Sequence, residues 1–274
     1  MNRMKRGTLA DLADLTGELE ASIDSPFQTS DSDQNQSLGF EFPASPCVPG
    51  EGNLGKNLPS YSTFLPVHYQ SGHAYPLVVW LHSEGANRDQ LNSVMPEFSD
   101  RNYVGVAFDG PDQRSPATHS SQKNWLQSSN TIEAAANQVA LVLEHVGSRF
   151  NINPDRIFVA GQGAGGTMAF RIAFERPELF AGVLSINGSL PSTLNPLSNW
   201  RDCRDVPVFW AHGRGSKHFP ESNLCHQLRL LHVAGFDVTL RQYPCKNQLP
   251  KQVFGDATHW MMEQLSKSGA NIIG

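Results

Sequence analysis

The segment Gly161-Gln162-Gly163-Ala164-Gly165 is where this chain comes nearest to chemistry. An apolar run, Ile157–Ala160, leads into it, and a helical pattern from Ala164 to Arg176 follows. A strand that turns sharply into a helix is the geometry of a nucleophile elbow, G-x-S-x-G. Its outer glycines, here Gly161 and Gly165, allow the turn and the close contact of strand with helix. The central position is Gly163. A nucleophile needs an oxygen or sulfur there, and glycine has no side chain to supply one. Gly161, Gly163 and Gly166 also satisfy GxGxxG, the dinucleotide fingerprint, with a strand before and a helix after as that motif requires. Two features count against this reading. The motif sits mid-chain, and the acidic residue expected about twenty positions later falls in Ser185-Ile186-Asn187-Gly188, which contains none. An anion at the helix N-terminus near Ala164 is physically reasonable on either reading.

The other reactive residue types are scattered. Cys47, Cys203, Cys225 and Cys245 form no CxxC pair, which argues against a zinc cluster. They are too sparse for a disulfide scaffold, so a reducing cytoplasm is the expected location, with a single long-range bridge left open. Cys245 reads as a small packing residue. His82 and His212 follow apolar strands and read as loop supports. His226 and His232 stand six apart on a helix, which does not put both on one face. His259 reads as a packing or surface residue of the last helix. No His/Asp set has metal-ligand spacing, so neither a metal nor any other cofactor is expected.

These residues must be positioned by a framework, and its pattern starts at residue 61. Buried-strand runs lie at Leu77–Leu81, Tyr103–Phe108, Ile157–Ala160, Gly182–Ile186 and Val206–Ala211, with an outer strand at Val238–Tyr243. Helical patterns lie at Thr131–Phe150, Ala164–Arg176, Glu221–Ala234 and Lys251–Ser266. Near-continuous apolar strands alternating with helices predict an α/β fold with a mostly parallel central sheet, covered by helices on both faces. Residues 1–60 read differently. They hold four Lys/Arg and nine Asp/Glu, so the net charge of −5 belongs to them, and residues 61–274 balance. SIDSPFQTSDSDQNQS is too poor in apolar groups to offset its ordering entropy. The expected division is thus a poorly ordered acidic leader, 1–60, and one domain, 61–274. Within the leader, Leu9, Leu12, Leu15 and Leu19 recur near helical spacing, which predicts a marginal surface helix or a docking helix. The balanced domain has no basic excess for nucleic acid. No apolar run is long enough for a membrane span, and the N-terminus lacks the apolar stretch of a secretory signal.

Read in order, the motifs resemble the α/β-hydrolase superfamily, in particular the phospholipase/carboxylesterase and polyhydroxybutyrate-depolymerase-like esterases. YPLVVWLHSEGANRDQL is similar to the strand and oxyanion loop of these esterases, NINPDRIFVAG to the approach to the elbow, and RPELFAGVLSINGSLP to the stretch beyond it. VPVFWAHGRGSKHFP resembles the acid-bearing loop, and VTLRQYP with the helix through Trp260 resembles the C-terminal part. Coverage is residues 61–266.

The resemblance implies a Ser-Asp-His triad, and this chain departs from it at each position. Gly163 stands for the serine and Ser216 for the aspartate of HGxxDxxVP. Asn247 stands for the histidine that follows Tyr-Pro. Asparagine exchanges no proton near neutral pH and cannot act as general base. Three departures on an intact frame read as the native state rather than as one engineered change. The oxyanion-loop equivalents are Ser83, Glu84 and Ala164. A carboxylate aimed inward from Glu84 would oppose developing negative charge, so Glu84 is expected to point outward. Trp125, Gln162 and His218 are candidates for lining the cleft, and Trp125 reads equally as a loop anchor. The implied function is that of an esterase-like fold without serine-hydrolase catalysis, binding a small molecule or a protein through the old cleft. The alternative is a carboxylesterase- or phospholipase-like hydrolase with a rearranged site.

Overall fold

The computed structural model describes residues 47–50, 58–114, 121–191, 200–216, 219–245 and 250–270. The leucine-spaced stretch of the leader lies outside them. Ten strands are formed among the described residues: β1 (Cys47–Gly50), β2 (Tyr61–Phe64), β3 (Tyr75–Leu81), β4 (Val104–Phe108), β5 (Asp112–Arg114), β6 (Ser121–Lys123), β7 (Ile152–Gln162), β8 (Gly182–Ile186), β9 (Val208–Gly213) and β10 (Val238–Tyr243). The helices are α1 (Gln90–Phe98), α2 (Ser129–Arg149), α3 (Ala164–Glu175), α4 (Trp200–Cys203), α5 (Glu221–Ala234) and α6 (Gln252–Ala270).

Eight strands make one sheet in the order β1-β2-β4-β3-β7-β8-β9-β10. The pairs from β4 through β3, β7, β8 and β9 to β10 are all parallel, and β1 and β2 join antiparallel at the other edge. β5 and β6 form a separate antiparallel ribbon. The sheet therefore begins at Cys47, ahead of the boundary expected at residue 61, because Cys47–Gly50 pairs with β2. The expected strands and helices are all present, with β10 at the edge.

Strand periodicity explains why a continuous apolar run is needed. Successive side chains of a strand point to opposite faces. Leu77, Val79 and Leu81 of β3 enter one core with Ile157 and Val159 of β7 and Val208 and Trp210 of β9. Val78 and Trp80 enter a second core with Phe158, Ala160, Phe209 and Ala211. The first core is covered by α2, α3 and α5 through Val139, Phe170 and Leu231. The second is covered by α1 and α6 through Met95 and Trp260. Helix α1 was not anticipated from the sequence. It is short and carries Pro96, yet its Leu91, Val94, Met95 and Phe98 bury one face.

Parallel strands separated by helices put every strand-to-helix turn at the same edge of the sheet. The turns after β3, β7 and β9 therefore share one edge, and they carry Ser83 and Glu84, Gly163 and Ala164, and Ser216.

Candidate active-site cleft

The turn after β7 has the predicted elbow geometry. Gly163 is the N-cap of α3 with φ +57° and ψ −122°. Its N–H donates to the Ile186 carbonyl at 2.9 Å, and Thr167 N–H donates back to the Gly163 carbonyl at 3.0 Å. The flanking glycines are required by close approach. A Cβ at Gly165 would fall 2.2 Å from the Leu81 carbonyl oxygen, and one at Gly161 would fall 2.4 Å from the Gly165 carbonyl. Gln162 ends β7 at this edge and is half-buried.

The turn after β3 meets the elbow directly. Ala164 N–H donates to Glu84 Oε1 at 2.8 Å. A Cβ built on Gly163 would lie 2.4 Å from Glu84 Oε2. Glu84 is exposed, as expected, but its carboxylate turns onto the elbow rather than away from it, because the first amide of α3 offers a hydrogen-bond donor at the positive end of the helix dipole. Ser83 turns away from the elbow. Its N–H donates to Gln90 Oε1 at 3.0 Å, and its hydroxyl accepts from Gln90 Nε2 at 3.2 Å. Gln90 Oε1 also accepts from Trp80 Nε1 at 3.0 Å.

A profile of the phospholipase/carboxylesterase family matches residues 115–263, more than half of the chain. The chain belongs to that family. Among individual proteins, NocK of Nocardia uniformis subsp. tsuyamanensis, named as an esterase, is 26% identical over 146 residues. That match covers 50% of this chain and 39% of NocK, so the chain spans about two fifths of its curated relative. Among solved structures, SOBER1 of Arabidopsis thaliana shares the fold with a TM-score of 0.61 at 16% identity, over 70% of this chain and 100% of SOBER1. The carboxylesterase of Bacillus cereus shares it with a TM-score of 0.61 at 14% identity, over 75% of this chain and 94% of the enzyme. Acyl-protein thioesterase 2 of Zea mays does so with a TM-score of 0.58 at 14% identity, over 75% and 99%. The α/β-hydrolase fold anticipated from the motifs is therefore present.

In this phospholipase/carboxylesterase-family chain the turn after β9 lies at the same edge as the elbow. Asn187 N–H donates to the Ala211 carbonyl at 2.8 Å, and Asn187 Oδ1 accepts from Gly213 N–H at 2.9 Å. Asn187 has φ +53°, in the left-handed region. Sequence reasoning gave it no role, although Asn before Gly188 is a turn signal. Ser216 is buried, its N–H donates to the Gly213 carbonyl, and its hydroxyl accepts from Phe219 N–H at 3.3 Å. Gly215 N–H donates to the Cys245 carbonyl at 2.8 Å, tying in the end of β10. Burial pushes the Cys245 thiol up, which disfavours a reactive thiolate. Asn247 and His218 lie outside the described residues.

Trp125 is only 2% exposed. Its Nε1–H donates to the His82 carbonyl at 2.9 Å, and its ring meets Phe108 edge-on. It anchors the loop after β6 to the end of β3. His82 is fully buried. Its Nε2 accepts from Gly110 N–H at 2.9 Å, which leaves Nδ1–H to donate to the Ser83 carbonyl at 2.8 Å. Burial holds its pKa below the usual imidazole value, so the ring is a neutral prop for the loop. His212 is also fully buried with its pKa lowered by burial. It packs edge-on to Phe219, and among the described residues neither ring nitrogen has a hydrogen-bond partner. Cys203, Cys225 and Cys245 are free. Among the described residues no group of three His, Cys, Asp or Glu is placed to hold a metal ion, and no helix is long and apolar enough to cross a membrane.

Proposed function

We propose that this member of the phospholipase/carboxylesterase family has no serine-hydrolase turnover and works by holding a ligand in the cleft at the C-terminal edge of the sheet. One observation carries the reading. The elbow keeps its backbone turn at Gly163, φ +57° and ψ −122°, but presents no nucleophilic atom. Ser216, at the position the family resemblance gives to the acid, supports the reading, since its hydroxyl is held by the local turn. Asn247, at the base position, supports it by residue type. The same reading includes a reducing cytoplasmic location, supported by the free Cys203, Cys225 and Cys245.

A second reading, hydrolysis through a rearranged site, is favoured by one specific observation. The Glu84 carboxylate lies against Gly163, in the space a Cβ there would take, and accepts the Ala164 N–H. The two readings diverge in a single assay. Purified full-length protein is tested on short-chain p-nitrophenyl esters and with a fluorophosphonate probe. The expected result is no covalent labelling and no turnover above a heat-treated control. Turnover that survives purification and is abolished by Glu84→Gln would establish the rearranged site and overturn the proposal.

A further inference from the structure

Glu84 is held in place by the chain on both sides of it. Ser83 N–H is tied to Gln90, and Gly85 N–H donates to the Lys123 carbonyl at 3.1 Å. Gly85 has φ +72°, a conformation that favours glycine, and Ala86 N–H donates back to the Ser83 carbonyl at 3.2 Å. The loop backbone is a closed turn with Glu84 at its apex, directed at the elbow.

What the carboxylate does at the elbow follows from two contacts. Oε1 accepts the Ala164 N–H at 2.8 Å. In an elbow, the N–H of the residue after the nucleophile is a donor to the negative oxygen that develops on the substrate. Oε2 occupies the space that any side chain at position 163 would need. One carboxylate thus covers both the oxyanion donor and the nucleophile's volume. It can do so only because residue 163 is glycine. Helix α3 has no other acid in its first turn and no side-chain cap of its own. Among the described residues no Lys, Arg or His forms an ion pair with Glu84.

We infer that Glu84 is a built-in occupant of the oxyanion position that sets the ligand class of the cleft. While it is seated, carboxylates and phosphonates are excluded from the oxyanion position by like charge and by volume, which leaves that position to neutral or cationic ligands. This rests on the proposed non-hydrolytic reading only for the identity of the cleft. The contact itself stands whether or not the chain turns over an ester.

The test uses the full chain and methylphosphonate as probe, followed by nitrogen–proton correlation spectra of the backbone amides. In the wild-type protein methylphosphonate leaves the Ala164 amide unmoved. In Glu84→Ala the Ala164 amide shifts saturably with methylphosphonate, with affinity roughly tenfold or more above wild type. If Glu84 were only a helix cap, Glu84→Ala would lose thermal stability without gaining any anion response, and that result overturns the inference. An Ala164 amide that shifts saturably with methylphosphonate in the wild type overturns it without recourse to any variant. Ester turnover by the wild type would overturn the non-hydrolytic reading alone, and the two failures are therefore distinguishable.

Discussion

At position 163 a serine side chain would have to share its space with a carboxylate. The Cβ alone would lie 2.4 Å from Glu84 Oε2, and φ +57° is a conformation that side chains rarely adopt. Strain of that kind costs on the order of 1–3 kcal/mol. Gly163→Ser alone is therefore expected to lower the thermal midpoint and to produce no esterase activity, since it restores a hydroxyl without an oriented base. Adding Glu84→Ala should recover part of the lost stability by vacating the space. Thermal denaturation of the two variants checks this, and a Gly163→Ser protein as stable as wild type would refute it. The bare centre of the elbow was legible in the sequence, because glycine in any fold lacks a side chain. The direction of Glu84 was not. It depends on a contact between residues 80 apart in the chain, 84 and 164. Trp125 shows the same limit. Its sequence context allowed a cleft wall or an anchor, and only the hydrogen bond to the His82 carbonyl decided for the anchor.

Elements meet at the elbow with almost no spare room. The Leu81 and His82 carbonyls press on Gly165, and a Cβ there would contact backbone atoms that have no freedom to move aside. Gly165→Ala is expected to destabilise by more than about 2 kcal/mol, through displacement of α3 from β3. Gly147 is the internal control. It sits within α2, and a Cβ there would meet nothing within 4 Å. Gly147→Ala should stabilise by about 0.5–1 kcal/mol through helix propensity alone. Urea unfolding of both variants tests the pair, and similar effects at the two sites would show that the elbow is not tightly packed. At this scale the sequence was highly readable. Long apolar runs and helical periodicities placed six strands and four helices, because burial on two faces demands such patterns. The elements that escaped were short. α1 carries a proline, and β1, β2, β5 and β6 have only three or four residues each, too few for periodicity to show.

The whole molecule keeps two imidazoles neutral inside itself. His82 and His212 are fully buried, and burial lowers both below the ordinary value of 6.5. In the unfolded chain both take up a proton as pH falls through about 6.5, whereas in the folded chain they resist until lower pH. Their contribution to stability is therefore complete above about pH 6.5 and is lost as pH falls towards the folded-state values. The urea midpoint should drop between about pH 7 and pH 5, and His212→Phe should make that drop shallower. A slope unchanged by the substitution would remove His212 from the explanation. By itself, the sequence determined which atoms exist. It specified an α/β frame through its apolar periods, a glycine at the centre of the elbow, and serine and asparagine at the positions that the resemblance gives to the acid and base. Only the tertiary structure decided where the charge at Glu84 goes and whether Trp125 faces ligand or core. Side-chain direction in a loop is set by the donors and volumes that other strands bring to it. At Gly163, the missing side chain leaves the space that Glu84 fills.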